Sequence, residues 1–240
     1  RRRKAWRKAM KKLLALMLCA VLALSCACQR PPAPQPSETP APTGLELWLH
    51  RTQERYNMHY EGFAGYLEAL CDGVYSGSIR AMLDILPMPQ MDAQVEEKRA
   101  ELAEKYGEAW HYEISGVKKT ELSAQQCENF AAELRDLAER ISVFPNEAAA
   151  WSEAQWSELA EGLGITTDKA HALAQIYSDM AAAVSEPKVT RAYELTLTLS
   201  FSGGGELTQS ASVYELNGQF VSQDVIDVTC MVINFIYGNS

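Results

Sequence analysis

Four histidines, six cysteines and a few close carboxylate pairs are the side chains in this chain with the most obvious chemical reach. His50, His59, His111 and His171 stand apart, with no His-Glu-x-x-His run and no neighbouring cysteine pair, so the spacing that holds a zinc ion is missing. His50 and His59 lie nine positions apart, which does not bring them onto one helical face. Glu96 with Glu97, and Glu101 with Glu104, could in principle divide acid and base work. Lys98, Arg99 and Lys105 interleave with them, however, and a solvated helix face is the expected outcome. Gly203-Gly204-Gly205 could cradle an anion with its backbone N–H groups, yet no helix start follows it, so a hairpin loop is expected. Trp151 and Trp156 could form a platform for a ring-shaped ligand, although anchoring a short helix is the commoner use. There is no Gly-x-Ser-x-Gly elbow, phosphate loop or dinucleotide fingerprint. The expectation is a protein with no catalytic residue, no metal site and no cofactor, hence not an enzyme.

The cysteines divide by position. Cys19, Cys26 and Cys28 fall in the first 28 residues, whereas Cys71, Cys127 and Cys230 are scattered through the rest with no Cys-x-x-Cys spacing. The latter three read as small buried apolar residues. The leading segment has a plan of its own. Arg1, Arg2, Arg3, Lys4, Arg7, Lys8, Lys11 and Lys12 precede an uncharged run from Leu13 to Leu24, which ends in Ser25-Cys26-Ala27-Cys28 and a proline tract. A basic start, an apolar stretch and small residues make a secretory signal. The run is 12 residues long, and a spanning helix needs about 20.

Here the chain resembles the bacterial lipoproteins, whose signal ends at a cysteine that becomes lipid-modified. Ala23-Leu24-Ser25-Cys26 fits that pattern better than Ser25-Cys26-Ala27-Cys28, so Cys26 (or Cys28) is the expected attachment site. The resemblance implies residues 1–25 as signal peptide, with Met10 as the natural start, and a thioether-linked diacylglycerol that tethers the protein to the extracytoplasmic face of the cell membrane. Each buried CH₂ adds about 0.8 kcal/mol, and two acyl chains hold stably where one does not.

Residues 29–44 carry six of the ten prolines and form an extended stalk, in which about 3.1 Å per residue allows a reach of roughly 50 Å. The eight basic residues before Cys26 have no acidic counterparts there. The remainder therefore holds 22 minus 8, or 14, basic residues against 31 acidic ones, a formal charge of −17. Such a chain is repelled by phosphate backbones, which excludes nucleic acid as a partner.

The elements that would position any site follow from periodicity. Leu45, Leu49, Thr52, Tyr56, Tyr60, Phe63, Leu67 and Leu70 step by three and four along one long helix that Asp72-Gly73 stops. A short helix follows Ser78 as N-cap and is broken by Pro87 and Pro89, and a charged helix runs from about Asp92 to Tyr106. Residues 110–118 read as a strand. Ser123-Ala-Gln-Gln126 and Ser152-Glu-Ala-Gln155 are capping boxes that open two helices, and a third starts near Thr167. Strict alternation from Val189 to Phe201, the glycine turn and Asn217-Gly218 then give three antiparallel strands in succession. The apolar tail from Asp224 to Tyr237 mixes β-branched content with helical spacing, and a buried terminal helix is the expectation.

Residues 45–240 are thus expected to form one α+β domain, with helices packed on a curved antiparallel sheet, a C-terminal meander and an additional helical block. Gly65-Tyr-Leu-Glu-Ala-Leu-Cys-Asp-Gly-Val-Tyr75, Tyr112-Glu-Ile-Ser-Gly-Val-Lys118, Ala192-Tyr-Glu-Leu-Thr-Leu-Thr-Leu199 and Val213-Tyr-Glu-Leu-Asn-Gly-Gln-Phe-Val-Ser222 are similar to segments of the nuclear transport factor two-like, or cystatin-like, domains. That resemblance implies a concave cup of sheet and helices, where a ligand would sit. The functional expectation is a surface-displayed lipoprotein with a non-catalytic binding or accessory domain, meeting a protein partner or a small apolar ligand. An enzyme using the cup, and a structural subunit of an envelope complex, are the alternatives.

Overall fold

The computed structural model describes residues 43–75, 77–86 and 88–237, leaving out the side chains at 232 and 235–237. The Met10 to Cys28 segment, the attachment cysteines Cys26 and Cys28, and all but the end of the proline stalk lie outside the described residues. The order of elements is α1 (Gly44–Tyr56), α2 (Gly62–Cys71), α3 (Ser78–Ile85), α4 (Pro89–Tyr106), β1 (Tyr112–Glu121), α5 (Ala124–Ala148), α6 (Glu153–Leu163), α7 (Thr167–Ser185), β2 (Val189–Phe201), β3 (Glu206–Leu216), β4 (Gln219–Ser222) and α8 (Asp224–Tyr237). The fold is α+β, as the alternation of periods predicts, with a four-stranded antiparallel sheet in the order β1-β2-β3-β4.

Local signals set many of the boundaries. Ser123 and Ser152 each open a helix with a reciprocal contact, the Gln126 and Gln155 side chains accepting the N-cap backbone N–H at 2.9 Å in both cases. Gly164, at φ 68, ends α6 in the left-handed conformation that costs glycine little. Asn217 and Gly218, at φ 51 and 85, supply the two left-handed residues of the tight turn joining β3 to β4. The apolar tail is helix α8, with Val225, Val228 and Thr229 fully buried.

Three boundaries differ from the sequence reading. The long opening helix is two helices, α1 and α2, with Met58 at φ 54 in the intervening turn and Gly62 at φ 58 opening α2. What breaks it is a tertiary contact. The Asn57 side chain accepts the Tyr112 backbone N–H and donates to the Tyr112 carbonyl at 2.7 Å, imitating a peptide group along the outer edge of β1. Gln53 accepts the Ile114 N–H at 3.0 Å in the same way, so one end of an otherwise open edge strand is satisfied by helix side chains. Pro89, expected as a breaker, is the first residue of α4, where its missing N–H costs nothing. Gly77 rather than Ser78 is the N-cap of α3, a one-residue shift.

The sheet is apolar on the side facing α1. Tyr193, Leu195 and Leu197 of β2, Val213 of β3 and Phe220 of β4 meet Trp48 there in a compact cluster, with Leu195 and Leu197 fully buried. On the opposite side Ala192, Tyr214 and Val221 join a larger core built mostly from helices. In it α5 contributes Phe130, Leu134, Leu137 and Ile141, and α7 contributes Leu173, Tyr177, Met180 and Val184. Phe130 lies parallel to Tyr214 with ring centroids 3.8 Å apart, which fixes α5 over the sheet. Bulges between Ile114 and Gly116 of β1 and between Val189 and Arg191 of β2 locally bend these two strands.

Candidate functional site

Between the two cores lies a cavity of about 300 Å³, bounded by α1, α2, α4, the middle of β3, the end of β4 and the start of α8. Helical spacing delivers its walls. On α1, Trp48, Thr52 and Arg55 recur at intervals of four and three and so share a face, which Tyr56 widens. On α4, Met91, Val95 and Lys98 do the same, and on α2 Phe63 and Tyr66 sit one turn apart. The turn between α1 and α2 adds Met58 and Tyr60, and Ala211, Ser222 and Asp224 close the floor and one side. Tyr66 gathers the other rings, with its centroid 5.4 Å from Tyr60 and 6.2 Å from Phe63.

The turn carrying Met58 and Tyr60 is held by α4. Arg99 donates through Nη2 to the carbonyls of Met58 and Tyr60, and its guanidinium stands 5.7 Å from the Tyr60 ring centroid. Asp92, one turn into α4, accepts the Phe63 backbone N–H at 2.8 Å and so caps α2 from outside. One helix therefore fixes both the turn and the helix that follows it.

The polar groups in the cavity are few and unevenly satisfied. Arg55 donates through Nη2 to Thr52 Oγ1 at 2.8 Å, while its Nε is buried without a partner. Ser222 is 2 % exposed and its hydroxyl also has no partner. Lys98 is 3 % exposed and directs its ammonium to Glu101, whose carboxylate lies out in solvent. Burial raises the hydroxyls of Tyr56, Tyr60 and Tyr66 above the ordinary tyrosine value, and Arg55, together with Arg99 at Tyr60, only partly offsets this. They stay protonated and can donate. Asp224 reaches solvent with part of its surface, yet desolvation of the remainder raises its carboxyl, with Arg55 opposing and Asp227 adding to the shift.

The residues singled out in the sequence fall elsewhere. His50 pairs with Glu54 at 3.4 Å, His59 is exposed, His111 Nδ1 lies 3.4 Å from the Ala109 carbonyl, and His171 stacks on Trp156 at 3.9 Å between centroids. None of the four lines the cavity. Among the described residues no group of three or more His, Cys, Asp or Glu side chains could hold a metal ion. Glu96 bonds Arg99 at 3.1 Å, on the charged face foreseen for that helix. Gly203 to Gly205 close the β2–β3 hairpin, where Phe201 donates its N–H to the Gly205 carbonyl at 3.0 Å. Trp151 and Trp156 pack edge-on against Phe144, with centroids 5.9 and 6.5 Å away, and so anchor α6. Cys71, Cys127 and Cys230 are unbridged, and burial pushes the Cys71 thiol up to about 12, which leaves it inert.

Comparison with known proteins returns nothing: no family model, no curated protein and no solved structure matches the chain. The site must be read from its own geometry. Trp48, Arg55 and Tyr66 escaped the sequence reading because the opening stripe looks like core packing throughout. The available signal was the spacing of an arginine and a threonine within an aromatic helical face.

Proposed function

We propose that the chain is a lipid-anchored lipoprotein on the extracytoplasmic face of a bacterial membrane, whose folded part binds a small amphipathic molecule without transforming it. The observation that carries the binding reading is the cavity: about 300 Å³, walled by Trp48, Tyr56, Tyr60, Phe63 and Tyr66, with a few convergent polar groups. That volume and lining match the concave, mostly apolar sites that take small molecules. Receptor rather than enzyme is favoured by the absence of an activated nucleophile. Ser222 Oγ has no hydrogen-bond partner and hence no base to take its proton, and none of the described cavity-lining residues is a histidine or cysteine. The anchor is supported by the basic, apolar and Cys26 (or Cys28) succession in the sequence. Among the described residues no helix is long and apolar enough to cross a membrane.

The binding claim is tested with a neutral ring compound, naphthalene-2-carboxamide, titrated calorimetrically into the full chain. Saturable one-to-one binding is expected, and Ala211→Trp, which fills the cavity from the sheet, should abolish it while leaving the circular dichroism spectrum intact. Absence of saturable binding, or binding indifferent to that substitution, overturns the reading. The anchor claim is tested by replacing Cys26 and Cys28 together with Ala. The chain should leave the membrane fraction, and persistence there refutes the lipid tether.

A further inference from the structure

Resting on the binding reading above, we propose that the cavity selects a ligand whose aromatic body carries one compact oxyanion, a carboxylate being the simplest, with Arg55 and Ser222 as its recognition pair. The first reason is Arg55. Its guanidinium is oriented by the bond to Thr52 Oγ1, it makes no ion pair among the described residues, and its Nε is buried with its hydrogen bond unmade. A buried cationic donor left without an acceptor is unfavourable, and a carboxylate oxygen is the partner that guanidinium geometry matches best. The second reason is independent of the first. Ser222, at the end of β4, is 2 % exposed and its hydroxyl is also unsatisfied. Two unpartnered donors, one on α1 and one at the end of β4, thus belong to residues that line the same ring-walled space.

The remaining charged groups fit the assignment. Lys98 is already engaged by Glu101, so it does not compete with Arg55 for the oxyanion. Asp224, also lining the cavity, is the one group that disfavours an anion. It forms no ion pair with Arg55, and it is solvent-exposed, so water screens the charge it presents. A cationic ligand would find Asp224 but would have to sit beside Arg55, whose positive charge has no ion-pair partner among the described residues. The five rings favour a flat body over a flexible chain through stacking and edge contacts.

The test is calorimetric titration of the full chain with naphthalene-2-carboxylate and its neutral isostere naphthalene-2-carboxamide. The carboxylate should bind at least tenfold more tightly. Arg55→Gln should remove most of that advantage, the carboxylate losing at least tenfold more affinity than the carboxamide, and a circular dichroism spectrum like that of the wild type shows that the variant is folded. Arg55→Lys, which keeps the charge but lacks the Nε donor, should recover only part of the preference. Ser222→Ala should weaken the carboxylate severalfold. Equal affinity of the two probes for the wild-type chain overturns the oxyanion assignment and leaves the binding reading standing, as does an Arg55→Gln effect that is the same on both. Failure of both probes to bind overturns the two together. Decanoate bound as tightly as the naphthoate refutes the aromatic body.

Discussion

Met58 combines two opposed contributions in one residue. Its φ of 54 places a side chain where the left-handed backbone costs roughly 1–2 kcal/mol, and glycine would relieve that. The side chain, however, is 6 % exposed and faces the ring-lined cavity, and burying a methionine stabilises by about 1.5–3 kcal/mol. Packing outweighs strain, so Met58→Gly should lower the unfolding free energy by about 1 kcal/mol, read as a fall in denaturant midpoint at constant slope. A rise in the midpoint would mean that the strain dominates. Its neighbour Asn57 is 6 % exposed and makes paired bonds with the Tyr112 backbone. Asn57→Ala should therefore cost about 2–3 kcal/mol, since it strands a buried N–H and carbonyl of β1 as well as deleting two bonds. A loss under 0.5 kcal/mol in the same titration would show that water replaces the amide there.

At the scale of elements, the cleft depends on α4 holding α2 and the turn before it. Glu61, the N-cap of α2, makes no side-chain capping bond, and Asp92 of α4 supplies the missing acceptor. Asp92→Ala should cost about 1 kcal/mol and accelerate hydrogen exchange at the Phe63 amide, with a parallel loss of affinity for naphthalene-2-carboxamide. Exchange unchanged at Phe63 would mean that α2 is fixed by packing alone. This dependence also explains which parts of the fold were legible beforehand. The two capping boxes, the Gly164 stop and the Asn217-Gly218 turn work through residues within a few positions of one another, and sequence spacing displays them directly. The break after Tyr56 depends on a partner of Asn57 that is 55 residues away, and the cap of α2 comes from 29 residues away. Neither leaves a local trace. The cleft was hidden for the same reason: the periodic stripe Thr52, Tyr56, Phe63 is the same whether the space beside it is filled or left open, and only the assembly of α1, α4, β3 and α8 decides that.

Across the whole molecule, the acidic excess couples folding to pH in two opposite ways. Beyond residue 25 the chain carries 31 acidic against 14 basic residues, and self-repulsion among them weakens the compact state at neutral pH. Asp224 adds to this cost, because desolvation raises its folded carboxyl above the ordinary 3.8. For a raised acid the folded state binds the extra proton first, so stability increases as pH falls through that carboxyl's folded value toward the ordinary 3.8. Glu215 acts in the other direction. Hydrogen bonds from Arg191 and Thr190 hold it at about 2 instead of 4.5, so its contribution is complete above 4.5 and is lost as pH falls from there toward 2. The melting temperature followed by circular dichroism should accordingly rise on going from pH 7.5 into the mildly acidic range and fall below pH 4. Asp224→Asn should raise the neutral-pH value and flatten the first limb, and Glu215→Gln should lower the plateau and flatten the second. Added salt separates the diffuse part from the local part, because screening acts on repulsion between separated charges more than on the local desolvation that raises Asp224. In 0.5 M NaCl the acid-side rise should shrink in the wild type without vanishing. Its complete disappearance would assign the rise to surface repulsion and leave Asp224 with no share in it.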